Sequence, residues 1–175
     1  LNLTFGELAQ SELGPISFIA GDRGLLRLAY EPLFQLKQNT DLRAENPSLV
    51  GLETVGAILS ELNEYLFGIR KAFSIRIDWQ SIRGFQRDVL QLTMAIPYGE
   101  VRSYGEISRQ LGRPGSARAV GRALSQNPMP IVIPCHRVVA ADGNLRGYAA
   151  PNGIQTKAFL LNKEGLHIVN NRVLT

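Results

Sequence analysis

The chain holds one cysteine and two histidines, and two of these three residues are neighbours: Cys135 and His136, within PIVIPCHRVV. A thiol with an ordinary pKa of about 8.5 is a weak nucleophile at neutral pH until a histidine, a cation or hydrogen-bond donors stabilise its thiolate. His136 could do this directly or through one water. A histidine in that role needs an orienting acceptor, and Glu164, in TKAFLLNKEG, has the right chemistry. In a straight strand Cys135 and His136 would point to opposite faces. The run otherwise reads as a buried strand, but Pro134 cannot donate to a ladder and holds Ile133 extended, so a bend is expected just before the thiol. The competing reading of Cys135 is a small buried hydrophobe without chemistry.

The elements that must position these residues lie in the second half. SYGEISRQLG sets Ser103 and Glu106 at capping-box spacing, which predicts a helix with Ser103 as N-cap, ending at Gly112. After the turn RPG, SARAVGRALSQNP predicts a second helix, begun by Ser116 and stopped by Asn127-Pro128. Two short helices about a Gly/Pro turn form a helix-turn-helix candidate. On the second helix Arg118, Arg122 and Ser125 share a face, flanked by the small residues Ala117 and Gly121, while Val120, Ala123 and Leu124 form the inward stripe. Small residues around two arginines allow close approach to a phosphate-lined groove. Close packing on a neighbouring helix would use the same pattern.

The first half reads as α+β and offers no chemistry. ISFIAGDRGLLRLAY is two strand-like runs about a Gly-Asp-Arg-Gly turn. LVGLETVGAILSELNEYLFG is an amphipathic helix, with Leu49, Leu52, Val55, Ile58, Leu59, Leu62 and Leu66 spaced three and four apart. FSIRIDW alternates as an antiparallel strand should. A boundary is expected between Trp79 and Gly84, before the helix FQRDVLQLTMAI.

Charge divides at the same place. Residues 1–81 carry seven Lys/Arg against ten Asp/Glu, and residues 82–175 carry twelve against five, ten of the twelve being arginine. Arginine suits phosphate contact and planar stacking. With 175 residues and 45% hydrophobic content the chain can bury a true core. One cysteine excludes an internal disulfide, and together with two histidines it makes a poor metal set, so neither metal nor cofactor is expected. No membrane span or signal peptide is legible, and a reducing cytoplasm is the expected compartment.

PIVIPCHRVV, preceded by GEVRSYGEIS and ARAVGRALSQNP and followed by GY and FLLNKEG, resembles the O6-alkylguanine-DNA alkyltransferases over about residues 85 to 165. The resemblance implies a small RNase H-like α/β N-terminal domain over 1–81. It implies a mainly helical, winged helix-like catalytic and DNA-binding domain with a helix-turn-helix over 82–175. It further implies a monomer that acts on double-stranded DNA containing O6-alkylguanine, and on O4-alkylthymine, once per molecule. By it, Cys135 accepts the alkyl group, His136 is the base, Glu164 orients His136, and Asn127 braces the active-site turn. Tyr104 presses on the target phosphate and donates to the leaving base, while Arg118 fills the gap left by a nucleotide flipped from the minor groove. Ser103, Ala117, Gly121, Arg122 and Ser125 fall on the implied DNA surface, and Val138, Tyr148 and Ala149 on the implied base pocket.

One segment departs from that pattern. RGYAAPNGIQTK carries Arg146, Ala149, Ala150 and Pro151 where the family has a glycine-rich loop, which is expected to alter the range of alkyl groups accepted. The rival readings are a lesion-binding protein that does not repair, a helix-turn-helix regulator, and a cysteine hydrolase. An intact Cys135 counts against the first, the unexplained Tyr104, Asn127 and Glu164 against the second, and the adjacent Cys-His spacing against the third.

Overall fold

A computed structural model describes residues 3–40 and 49–174; the side chains of residues 49–52 lie outside the described set, and with them the Leu49 and Leu52 positions of the helical stripe. The chain divides into two compact units, 1–81 and 82–175.

In the first unit, β1 (Thr4–Leu8), β2 (Ile16–Gly21) and β3 (Gly24–Ala29) form an antiparallel sheet in that order. Gly21 pairs with Gly24, so the expected hairpin forms with Asp22 and Arg23 as its loop. Helix α1 (Leu33–Gln38) contributes Leu36 to a core with Leu3 and Ile19. Helix α2 (Leu49–Leu66) buries Ile58, Leu62, Tyr65 and Leu66, the continuation of the stripe read from sequence.

FSIRIDW corrects one expectation. Its side chains alternate in burial, with Ile75 and Ile77 inside and Ser74 and Arg76 outside, but it builds no antiparallel strand. Instead Ile77 bridges Leu25 in parallel, through Leu25 N–H to the Arg76 carbonyl (2.7 Å) and Asp78 N–H to the Leu25 carbonyl (2.9 Å). The Asp78 carboxylate then accepts from Gln80 N–H and the Arg23 guanidinium, which turns the chain away from the sheet. Alternation reports which face is buried and does not guarantee a ladder partner.

The second unit is mainly helical. Helices α3 (Gly84–Met94), α4 (Tyr104–Gln110) and α5 (Ala117–Ser125) pack on one another, and α6 (Ile154–Lys163) closes the unit. The Ser103/Glu106 capping box is present: Ser103 Oγ accepts from Glu106 N–H, and the Glu106 carboxylate accepts from Ser103 N–H. Ser116 stands at the N-cap of α5, but its side chain makes no cap hydrogen bond; its own N–H donates to Ser108 Oγ at 3.0 Å, tying the turn to α4. Two residues, β4 (Arg102–Ser103), pair in parallel with β5 (Val138–Val139). This pairing sets the start of α4 beside the chain leaving His136. A hairpin of β6 (Ile168–Val169) and β7 (Arg172–Val173) follows α6, with Val173 in a core with Val139, Leu145 and Leu161.

Candidate active site

PIVIPC is buried throughout, yet it is not a strand. Residues 130–133 form a turn and Cys135–Arg137 a 3₁₀ turn, and β5 begins only at Val138. Ile131 takes φ +72°, a left-handed conformation that a β-branched residue adopts only when its surroundings force it. Prolines 130 and 134 remove two ladder donors, and Asn127 supplies replacements. Its amide donates to the Ile133 carbonyl (2.8 Å) and to Cys135 Sγ (3.1 Å), while its Oδ1 accepts from Met129 N–H (3.0 Å). Asn127 therefore holds both ends of the turn and touches the sulfur.

Behind the thiol lies a buried charge cluster. Glu164, at the C-cap of α6, accepts from His136 Nε2 (2.8 Å) and from Arg137 Nε (2.9 Å) and Nη2 (2.9 Å). Gly99 N–H donates to the same carboxylate at 3.2 Å. The position favours glycine: its φ is +78°, and a Cβ there would lie 3.1 Å from the Glu164 carbonyl oxygen, a tight contact. Arg137 also donates to the Ile96 carbonyl (2.6 Å). Burial opposes ionisation of Glu164, but hydrogen bonds and charge from His136 and Arg137 outweigh it and hold its carboxyl at about 2. Burial pushes the His136 pKa down against the pull of Glu164, so at neutral pH the ring is neutral and Nε2–H is the donor. Glu164 stays ionised with the Arg137 guanidinium as its counter-charge and His136 Nε2–H as a neutral hydrogen-bond donor. The tautomer that follows presents Nδ1 as the imidazole's basic nitrogen.

On its other side Cys135 opens into a cleft of about 860 Å³. Ala117, Arg118, Gly121, Leu124 and Ser125 of α5 form one wall, and Arg146, Gly147, Tyr148 and Ala149 the other, with Tyr104 between them. Burial pushes the thiol pKa up; the Asn127 amide, the Lys157 charge and a hydrogen bond from Tyr148 act against that rise. Burial also raises the Tyr104 phenol, reinforced by Cys135, so this hydroxyl stays protonated and able to donate. A Cβ on Gly121 would sit 3.7 Å from the Tyr104 ring, in ordinary contact.

Most of the residues singled out in the sequence meet here. Cys135, Tyr104, Arg118, Ala117, Gly121, Ser125, Tyr148 and Ala149 line the cleft, and His136, Glu164 and Asn127 stand behind the thiol. Three do not line it. Arg122 is exposed one turn further along α5, Ser103 is engaged in its capping box, and Val138 is fully buried with its carbonyl accepting from Lys157 Nζ at 2.6 Å.

Three site residues carry no assignment in the sequence reading: Gly99, Arg137 and Lys157. Lys157 is 1% exposed and donates to the Val138 and Leu145 carbonyls (2.6 and 2.7 Å), joining β5 to the far wall of the cleft. Burial lowers its pKa to about 8, opposed by Cys135. A signal was there: Lys157 and Glu164 fall with Leu160 on the inward stripe of α6, where a polar residue needs a buried partner. Gly99 gave none, because its partner is 65 residues away.

A family model described as the DNA-binding domain of 6-O-methylguanine DNA methyltransferase matches residues 84–166, the segment that contains every element of the cleft. Methylated-DNA--protein-cysteine methyltransferases of Mycobacterium leprae and Salmonella typhimurium are 45% and 37% identical to the chain, over 73% and 91% of its length and 78% and 94% of theirs. The chain belongs to this methyltransferase family. Its reaction is direct reversal of alkylation in DNA by stoichiometric transfer to a protein cysteine. The mixed helix-and-strand fold agrees: a crystal structure of Mycobacterium tuberculosis OGT in complex with DNA superposes with a TM-score of 0.73 and 37% identity, covering 91% of each chain. A methyltransferase of this family needs a nucleophilic sulfur, a route for its proton and a surface for DNA, and the cleft with the cluster behind it is the candidate place for them.

Proposed function

We propose that Cys135 is the alkyl acceptor and that the cluster behind it manages the thiol proton. The carrying observation is that Cys135 lines an open cleft while Asn127 contacts its sulfur and the His136–Glu164–Arg137 cluster lies behind it. The thiol gives its proton through water to His136 Nδ1, and Glu164 stabilises the imidazolium through Nε2. The sulfur attacks the carbon bound to O6 of guanine; the S–C bond forms as the C–O6 bond breaks, and guanine leaves with the bonding pair. Tyr104 donates to that leaving base. No step regenerates the thiol, so each molecule reacts once.

A guanine stacked in duplex DNA cannot bring its O6 substituent to a sulfur at the base of a cleft, so the nucleotide must leave the stack. Extrusion costs a few kcal/mol, least where the lesion already weakens its pair. Arg118, exposed on the small-residue wall of α5, replaces the lost stacking from the minor-groove side. The α4–turn–α5 pair then serves as the helix-turn-helix, the second unit as the winged helix-like catalytic domain, and the first as an RNase H-like companion domain. O6-alkylguanine in double-stranded DNA is the substrate, with O4-alkylthymine as a second, and the protein acts as a monomer.

Replacing Cys135 with serine tests the assignment. Transfer from a duplex containing O6-methylguanine is expected to vanish while affinity for that duplex stays within about twofold, since the exchange alters one atom in the cleft. Retained transfer, or a protein that no longer folds, contradicts it.

A further inference from the structure

The far wall of the cleft contains an arginine in an unusual place. Arg146 takes φ +58°, a left-handed conformation that costs a non-glycine residue of order 1 kcal/mol and persists only where the surroundings fix it. They do. Arg146 N–H donates to Asn144 Oδ1 at 2.9 Å, Asn144 N–H donates to Asp142 Oδ1 at 3.1 Å, and the preceding residue, Leu145, is fully buried with its carbonyl held by Lys157. The backbone is thus clamped on both sides while the side chain lines the cleft that ends at Cys135.

That guanidinium forms no ion pair with any described residue, and no carboxylate lines the cleft. Asp142, the acid that feels its charge, is paired with Arg172 at 3.1 Å and caps Asn144. Facing it, Tyr104 is a phenol and Arg118 a second cation. A glycine or asparagine would meet the backbone demand at lower cost, so backbone strain and an exposed charge without an ion-pair partner among the described residues coincide on one residue.

Resting on the alkyl-acceptor reading, we propose that Arg146 is a specificity-determining residue that draws an oxyanion into the cleft. Either of two parts of the substrate can supply it. One is a carboxylate on the alkyl group itself, as in O6-carboxymethylguanine, which reaches the guanidinium as its carbon approaches the sulfur. The other is the DNA phosphate flanking the extruded nucleotide. A planar guanidinium takes either in two-point fashion.

The test compares wild-type protein with Arg146→Gly, which relieves the left-handed backbone and so does not threaten folding, and with Arg146→Lys. Single-turnover rates are measured on O6-methylguanine and O6-carboxymethylguanine, each both in a duplex and as the nucleoside, which has no phosphate. If the carboxylate is the partner, Arg146→Gly lowers the carboxymethyl-to-methyl rate ratio about tenfold on the nucleosides as well as in duplex, and Arg146→Lys restores part of it. If the phosphate is the partner, both duplex rates fall about tenfold and the nucleoside rates do not. Variants that match wild type on all four substrates overturn the proposal. Wild-type protein that fails to transfer methyl from duplex would instead overturn the acceptor reading on which it rests.

Discussion

The two sides of Cys135 are built on opposite rules. Behind it, polar groups are closely paired: one carboxylate serves His136, Arg137 and Gly99, and one asparagine serves two backbone groups and the sulfur. In front, the cleft walls expose Arg118 and Arg146 with no acidic partner among the described residues. On the proposed reading the difference separates two tasks. Handling one thiol proton needs buried groups held in fixed geometry, whereas recognising DNA needs charges that stay open until the substrate arrives. Changes behind the thiol should therefore cost stability and chemistry together, and changes in front should cost binding with little loss of stability.

The largest effect is expected from Glu164→Gln. It leaves the Arg137 charge buried without its counter-ion, which costs about 3–5 kcal/mol, and removes the acceptor that fixes the His136 tautomer. Thermal unfolding should show a Tm many degrees lower, and single-turnover transfer should slow at least about a hundredfold. A variant as stable as wild type would show that the buried side is ordinary packing. Arg137→Met should be comparably harmful, because it leaves the buried Glu164 carboxylate beside a neutral His136 without its counter-ion.

Acid should reproduce that loss in the unaltered protein. The Glu164 carboxyl sits near 2 when folded and near 4.5 when unfolded, so the unfolded chain binds the extra proton between those values. Stability from this residue is complete above about pH 4.5 and declines as pH falls toward 2, by about 3 kcal/mol in all. Urea midpoints across that range check the sign, and Glu164→Gln should flatten the profile.

Smaller still is Arg118→Ala. Removing one exposed cation from the front wall should weaken lesion-DNA binding by about tenfold or less and leave Tm within a degree or two. If Arg118 takes the place of the extruded nucleotide, the rate defect should shrink when the lesion sits in a mismatched pair. Equal loss on every duplex would make Arg118 a simple phosphate contact.

The same division explains what could be read from sequence. Local rules were legible because neighbouring residues carry them: the Ser103/Glu106 box, the hairpin at Asp22-Arg23 and the inward stripes of α2 and α5. The front wall of the cleft follows from them, being largely one helix face. The buried side depends on residues far apart in the chain. Glu164 could be named only by its chemistry, while Gly99, Arg137 and Lys157 find their partners across tens of residues. FSIRIDW failed for a related reason, since apolar character marks burial and its hydrogen-bond partner was set elsewhere, by Leu25; in PIVIPC the bend at Pro134 was legible, but Asn127 as the group that closes its turn onto Ile133 was not.

The central claim, that Cys135 keeps the alkyl group and does so once, is open to one direct measurement. The protein is mixed with excess duplex containing a single O6-methylguanine, and intact mass and peptide mapping follow. The account predicts a gain of one methylene mass, on the peptide that holds Cys135, never more than one per chain whatever the excess of DNA. Unmodified protein that binds the lesion duplex more tightly than undamaged DNA would contradict it, as would a methyl group on any other residue.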